Sequence, residues 1–98
     1  MTMPVLAKAA LQQALEQRSG WTVVDGQISK TYGLATFPFA IEFVRRIADA
    51  AEEVNHHPDI DIRYNKVTIA LSTHDEKGIT EKDFGLADTI DRIFAAAQ

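Results

Sequence analysis

Hydrophobic residues fall into five blocks along the chain, and the period changes from block to block. Over residues 4–17, Leu11 and Leu15 stand four apart while Gln12, Gln13, Glu16 and Gln17 occupy other faces, which predicts a first helix. Pro4 suits a first helical position, Thr2 its cap, and Ser19-Gly20 its end. Over 21–36 the period becomes two. Trp21, Thr22, Val23 and Val24 are strand formers, and Ile28, Lys30, Tyr32 and Leu34 alternate with Ser29, Thr31 and Gly33. Between them Asp25-Gly26 predicts a type I′ hairpin turn, whose two central positions both need positive φ.

Residues 38–54 carry the clearest helical pattern. Ala40, Phe43, Val44, Ile47, Ala48, Ala51 and Val54 recur at spacings of three and four. Pro38 fits the start. Pro58 predicts the stop, because the residue before a proline, here His57, is pushed out of the α region. Residues 59–74 read as a second hairpin: Ile60 and Ile62 oppose Asp61 and Arg63, Tyr64-Asn65 makes the turn, and Val67, Ile69 and Leu71 alternate with Thr68, Ala70 and Ser72. A loop from His74 to Ile79 leads to a third helix over 81–96, with the stripe Leu86, Ala87, Ile90, Ile93 and Phe94. Thr80 and Asp83 open it in the manner of a capping box, with Asp in place of the usual Glu.

The order α-β-β-α-β-β-α, with hairpins between strands, predicts an α+β fold: a four-stranded antiparallel sheet with three helices packed on one face. At 98 residues the chain (1–98) makes one domain with a single core. The other sheet face and the sheet edges need cover in so small a domain, so self-association is expected.

Composition narrows the function classes. The net charge of −4 argues against nucleic-acid binding, which needs clustered Lys and Arg. The absence of cysteine excludes disulfides, thiolate nucleophiles and thiolate metal sites. There is no apolar run long enough for a membrane span, and the N-terminal stretch has no basic region followed by a long apolar one. A cytoplasmic protein is the expectation.

All the histidines fall in two stretches, Asn55-His56-His57-Pro58 and Ser72-Thr73-His74-Asp75. Histidine both gives and takes protons near neutrality, so if the second hairpin folds back beside the helix it follows, the two stretches meet at one rim of the sheet as a site for proton transfer. Helical spacing puts Glu52 near His56. A His56–His57–His74 metal site with Glu52 or Asp75 is the competing reading, but no H-x₃-H or H-E-x-x-H spacing supports it. The phenylalanines (Phe37, Phe39, Phe43, Phe84, Phe94) read as core. Trp21, opening a strand after a glycine, is the aromatic residue that could instead line a ligand site.

The spacing Glu52-x₃-His56-His57-Pro58, five residues to Tyr64, nine more to His74 and eight more to Asp83 resembles the signature of the pterin-4a-carbinolamine dehydratases. Tyr64-Asn65-Lys66-Val67, Leu71-Ser72-Thr73-His74, Gly20-Trp21, the Asp25-Gly26 turn and Thr80-Glu81-Lys82-Asp83 follow in that family's order, so that the resemblance runs from about residue 5 to 96. It implies the same sheet-and-helix fold in dimers or tetramers. It also implies loss of water from 4a-hydroxytetrahydrobiopterin in the recycling of that cofactor, with the pterin as substrate and no further cofactor or metal. By resemblance His56, His57 and His74 carry catalysis. Glu52 would accept pterin N–H groups or orient a histidine, Asn55, Ser72, Thr73 and Asp75 would line the site, Trp21 would lie near it, and Asp83 would cap the third helix. The chain departs from animal members at Asp59-Ile60-Asp61-Ile62, where those carry an aromatic pair, so their second role as partner of a homeodomain transcription factor does not carry over. The alternative function is a non-catalytic dimerisation or regulatory module that binds a partner protein.

Overall fold

A computed structural model of the chain describes residues 4–97. Its elements are α1 (Lys8–Glu16), β1 (Thr22–Val24), β2 (Gln27–Gly33), α2 (Phe37–Val54), β3 (Asp59–Arg63), β4 (Lys66–Leu71), a single 3₁₀ turn (His74–Glu76) and α3 (Glu81–Ala97). The strands form one antiparallel sheet in the order β1-β2-β4-β3. The order and the α+β architecture are those read from the sequence.

Alternation along the strands decides which face is covered. Ile28 and Tyr32 on β2 and Val67, Ile69 and Leu71 on β4 are buried. They pack in one cluster with Ala40, Phe43, Ile47 and Ala51 of α2 and Phe84, Leu86, Ala87 and Ile90 of α3. Leu11, Ala14 and Leu15 of α1 join its margin. Tyr32 is the aromatic centre, its ring 5.0 Å from Phe43 and 4.9 Å from Phe94. On the outer face, Thr31 and Thr68 stand opposite each other in the register and share a hydroxyl hydrogen bond of 2.9 Å.

Several expectations are corrected by particular contacts. The first helix starts at Lys8 and not at Pro4, because residues before it run extended and the Leu6 N–H donates to the Ile79 carbonyl at 2.9 Å. The cap expected from Thr2 lies outside the described residues. The stripe of α2 is narrower than its sequence pattern, with Ala48 and Val54 turned outward. Phe37 and Phe39 are exposed rather than core. The outer face of the sheet carries Thr31, Thr68, Asp61 and Arg63, with Val24 as an exposed apolar residue on β1; further exposed apolar area lies on Ile60 and Ile62 of the edge strand β3 and on Phe37, Phe39 and Ile41 of α2.

At the end of the sheet occupied by β1, Asp91 of α3 gathers three donors. The Trp21 indole N–H reaches it at 3.0 Å, the Tyr32 hydroxyl at 2.5 Å and the Lys30 ammonium at 2.8 Å. Burial works against the Asp91 charge, but the hydrogen bonds from Lys30, Tyr32 and Trp21 outweigh it and hold the carboxyl below its ordinary value. Burial, reinforced by the bond to Asp91, pushes the Tyr32 hydroxyl well up. A depressed carboxyl stabilises the fold above its unfolded pKa and loses that contribution as pH falls through the folded value. Replacing Asp91 by Asn is therefore expected to lower unfolding free energy by ~1–2 kcal/mol at neutral pH, the lower part of the range because the site is half open to water. Urea unfolding of both proteins should show this gap closing as pH drops below 3.8.

Candidate active site

The second helix delivers the first two histidines by the way it ends. Asn55 adopts the left-handed conformation, with φ of 51°. The His56 N–H then donates to the Ala51 carbonyl at 3.0 Å and the Asn55 N–H to that of Glu52 at 3.2 Å, the paired bonds of a Schellman motif. Asn55, rather than Pro58, terminates the helix. Asparagine tolerates this backbone better than other non-glycine residues.

The reversal sends the two rings apart. His56 turns inward, and its Nε2 lies 2.6 Å from the Asp83 carboxylate, which is fully buried. His57 turns back along the helix, and its Nε2 lies 2.5 Å from Oε2 of Glu52. Glu52 thus holds His57 and not His56: helical i, i+4 geometry no longer applies once the chain has left the helix at Asn55. In each case an ionised carboxylate can only accept, so Nε2–H donates and the lone pair of the neutral ring sits on Nδ1.

The third histidine comes from the exit of β4. Thr73 and Gly78 bridge across a closed loop, with Thr73 N–H donating to the Gly78 carbonyl at 2.8 Å, and the 3₁₀ turn between them starts at His74. The His74 side chain makes no hydrogen bond to another described residue. The loop is anchored from beneath by Asp83. Its Oδ2 accepts from the Thr73 hydroxyl at 2.9 Å and from the Thr80 N–H at 2.9 Å, while Thr80 Oγ1 accepts from the Lys82 N–H at 3.2 Å. The capping box expected at Thr80 and Asp83 is present, and the same carboxylate holds the catalytic candidate His56.

The two stretches meet. His56, His57 and His74 line one cavity of about 160 Å³ together with Asn55, Thr73, Asp75 and Lys82. Glu52 stands behind it through His57. Ser72, at the end of β4, and Trp21 are not brought to it; Trp21 is buried with its indole N–H on Asp91. Among the described residues no group of three or more His, Asp or Glu side chains converges to hold a metal ion, and no helix is long and apolar enough to cross a membrane. Three imidazoles around one cavity, two steadied by carboxylates, can protonate one atom of a ligand while deprotonating another.

The family model described as "Pterin 4 alpha carbinolamine dehydratase" matches residues 4–93. The chain belongs to this family. A Chloroflexus aurantiacus protein that bears the name of pterin-4-alpha-carbinolamine dehydratase provisionally is 53% identical over 91 residues, covering 93% of this chain and 98% of its own. One from Mycobacterium tuberculosis, named in the same provisional way, is 47% identical over 94 residues, covering 96% and 100%. A crystal structure from Brucella melitensis, described as a transcriptional coactivator/pterin dehydratase, superposes with a TM-score of 0.86 at 34% identity, covering 91% of this chain and 97% of that one. A pterin dehydratase-like protein described as a RuBisCO assembly factor of the alpha-carboxysome shares the fold, with a TM-score of 0.63 at 19% identity over 76% of this chain and 86% of that one.

Two residues that build the cavity escaped the sequence reading as such, Asp83 beneath it and Lys82 in its lining. Asp83 was legible only as a helix cap, because nothing in its spacing reveals that His56 lies over it. Lys82 faces the cavity because α3 begins directly beneath the histidine loop. Removing the Asp83 carboxylate with Asp83→Ala leaves a buried N–H, a hydroxyl and an imidazole without their acceptor, and is expected to reduce stability by about 3 kcal/mol in urea unfolding. In the same variant, ¹⁵N NMR of the imidazoles should show His56 losing its single tautomer while His57 keeps its own.

Proposed function

We propose that the protein catalyses the dehydration of a 4a-hydroxytetrahydropterin, releasing water and quinonoid dihydropterin. The observation that carries this reading is the convergence of His56, His57 and His74 on one cavity in a chain of this family. The 4a-hydroxyl is a poor leaving group. An imidazolium gives it a proton as the C4a–O bond breaks, and water departs. A neutral imidazole takes the proton from N5, and the N5–H electron pair becomes the N5=C4a double bond. One proton enters and one leaves, so the histidine set keeps its proton count without a redox partner or cofactor, and passage of a proton from the base back to the acid by way of water restores the starting state. Asn55, Thr73, Asp75 and Lys82 offer polar groups to the ring's edge. The reading extends to recycling of tetrahydrobiopterin in the cytoplasm after the hydroxylation of aromatic amino acids.

Each imidazole that acts as acid or base is expected to contribute about 10²–10⁴-fold to the rate, the usual range for a positioned group. Stopped-flow measurement of carbinolamine dehydration with His56→Ala, His57→Ala and His74→Ala should therefore show at least a ~10-fold loss for each, with the His74 variant retaining its thermal stability since its ring has no internal partner. Undiminished rates in all three would defeat the proposal.

A second reading rests on a different surface. Phe37 and Ile41, one helical turn apart at the start of α2, are 47% and 44% exposed, an apolar patch fit for another helix. The Brucella melitensis relative is described as a transcriptional coactivator as well as a pterin dehydratase. We assign this patch and the β3 edge to assembly as a homodimer or homotetramer, with a regulatory partner protein as the alternative occupant. Ile41→Glu should reduce the sedimentation coefficient if the patch joins copies of this chain, and leave it unchanged if a different protein binds there.

A further inference from the structure

A second cavity opens beside the histidines and is larger than theirs. It has a volume of about 400 Å³ and runs between α2 and α3, lined by Ala50 and Val54 on one side and by Gly85 and Leu86 on the other. His56 and Lys82 line both cavities, so the two adjoin. The histidine cavity alone falls short of the ~300–1,000 Å³ usual for small-molecule sites, whereas the pair together lies within that range.

Gly85 is the unusual residue here. It sits inside α3, where glycine is unfavourable relative to alanine. Its backbone is ordinary helix, and a Cβ added to it would meet nothing within 4 Å. Neither backbone conformation nor packing within the chain calls for glycine. What its missing side chain does is keep the groove wide next to His56.

Resting on the dehydratase reading, we propose that this groove receives the substituent at C6 of the pterin and that Gly85 sets the size it admits. The chemistry of the ring supplies the direction. C6 is bonded to N5, the atom that surrenders its proton, so a ring held with N5 and C4a among the imidazoles carries its C6 substituent at the reacting edge. His56 stands at that edge and at the mouth of the groove. Ala50, Val54 and Leu86 give the groove apolar surface for the carbon chain of that substituent, and Glu53, Lys82 and Thr89 add polar groups for its hydroxyls.

The test compares the 4a-carbinolamines of 6-methyl- and 6-phenyl-tetrahydropterin as substrates of the wild-type protein, Gly85→Leu and Val54→Phe. The ratio of kcat/KM for phenyl over methyl is expected to fall by about tenfold or more in Gly85→Leu and to move the same way in Val54→Phe. Binding of the corresponding dihydropterins, followed by their fluorescence, should show the same change of ratio without turnover. Val54 is 59% exposed, so that variant decides the matter if Gly85→Leu does not fold by circular dichroism. A ratio unchanged within about twofold in a folded variant overturns the inference while the dehydratase reading stands. Equal loss on both substrates together with a changed sedimentation coefficient also overturns it, and makes the groove an interface between copies. A wild-type protein that neither binds nor dehydrates either pterin overturns the dehydratase reading and this inference with it.

Discussion

The buried carboxylate of Asp83 ties together every segment that carries the site. One oxygen accepts from the N–H of Thr80 and the hydroxyl of Thr73, the other from the ring of His56. The start of α3, the exit of β4 and the turn after α2 are thereby fixed to one point with no exposure to water. A charged group is tolerated there only because its lone pairs are so fully engaged. The groups it holds are well ordered for the same reason, since letting any of them go would strand a buried charge without its partner.

Steadying of the histidines is graded. His56 is held from the interior by Asp83, His57 from the surface by Glu52, and His74 by the backbone of its own loop alone. A surface ion pair such as Glu52–His57 is worth little in stability, being screened by water. Its worth lies in orientation, for it sets which ring nitrogen faces the cavity. His74 keeps rotational freedom that the other two lack.

The element order could be read directly because hydrophobic period and turn chemistry agreed: Asp25-Gly26 takes positive φ at both residues, and the pattern of α2 faces the core as its spacing requires. The errors cluster where a long-range contact overrides a local signal. Pro4 looked like a helix start until the tie from Leu6 to Ile79 drew the segment out straight. Pro58 looked like the helix stop, but the asparagine three residues earlier had already turned the chain, and this moved the Glu52 contact from His56 to His57. Trp21 carried an ambiguous signal that only Asp91, 70 residues further on, resolves. The histidine clusters stood out because their residue type is rare and their chemistry distinctive. Asp83 did not, because a capping acid and a histidine-holding acid look identical in one dimension.

All the groups that line or support the histidine cavity fall between Glu52 and Asp83, on one unbroken stretch of chain. The first helix and first hairpin supply only backing. A graft of that stretch would accordingly move every group of the histidine cavity in one piece, with the first helix and first hairpin left behind as a replaceable buttress.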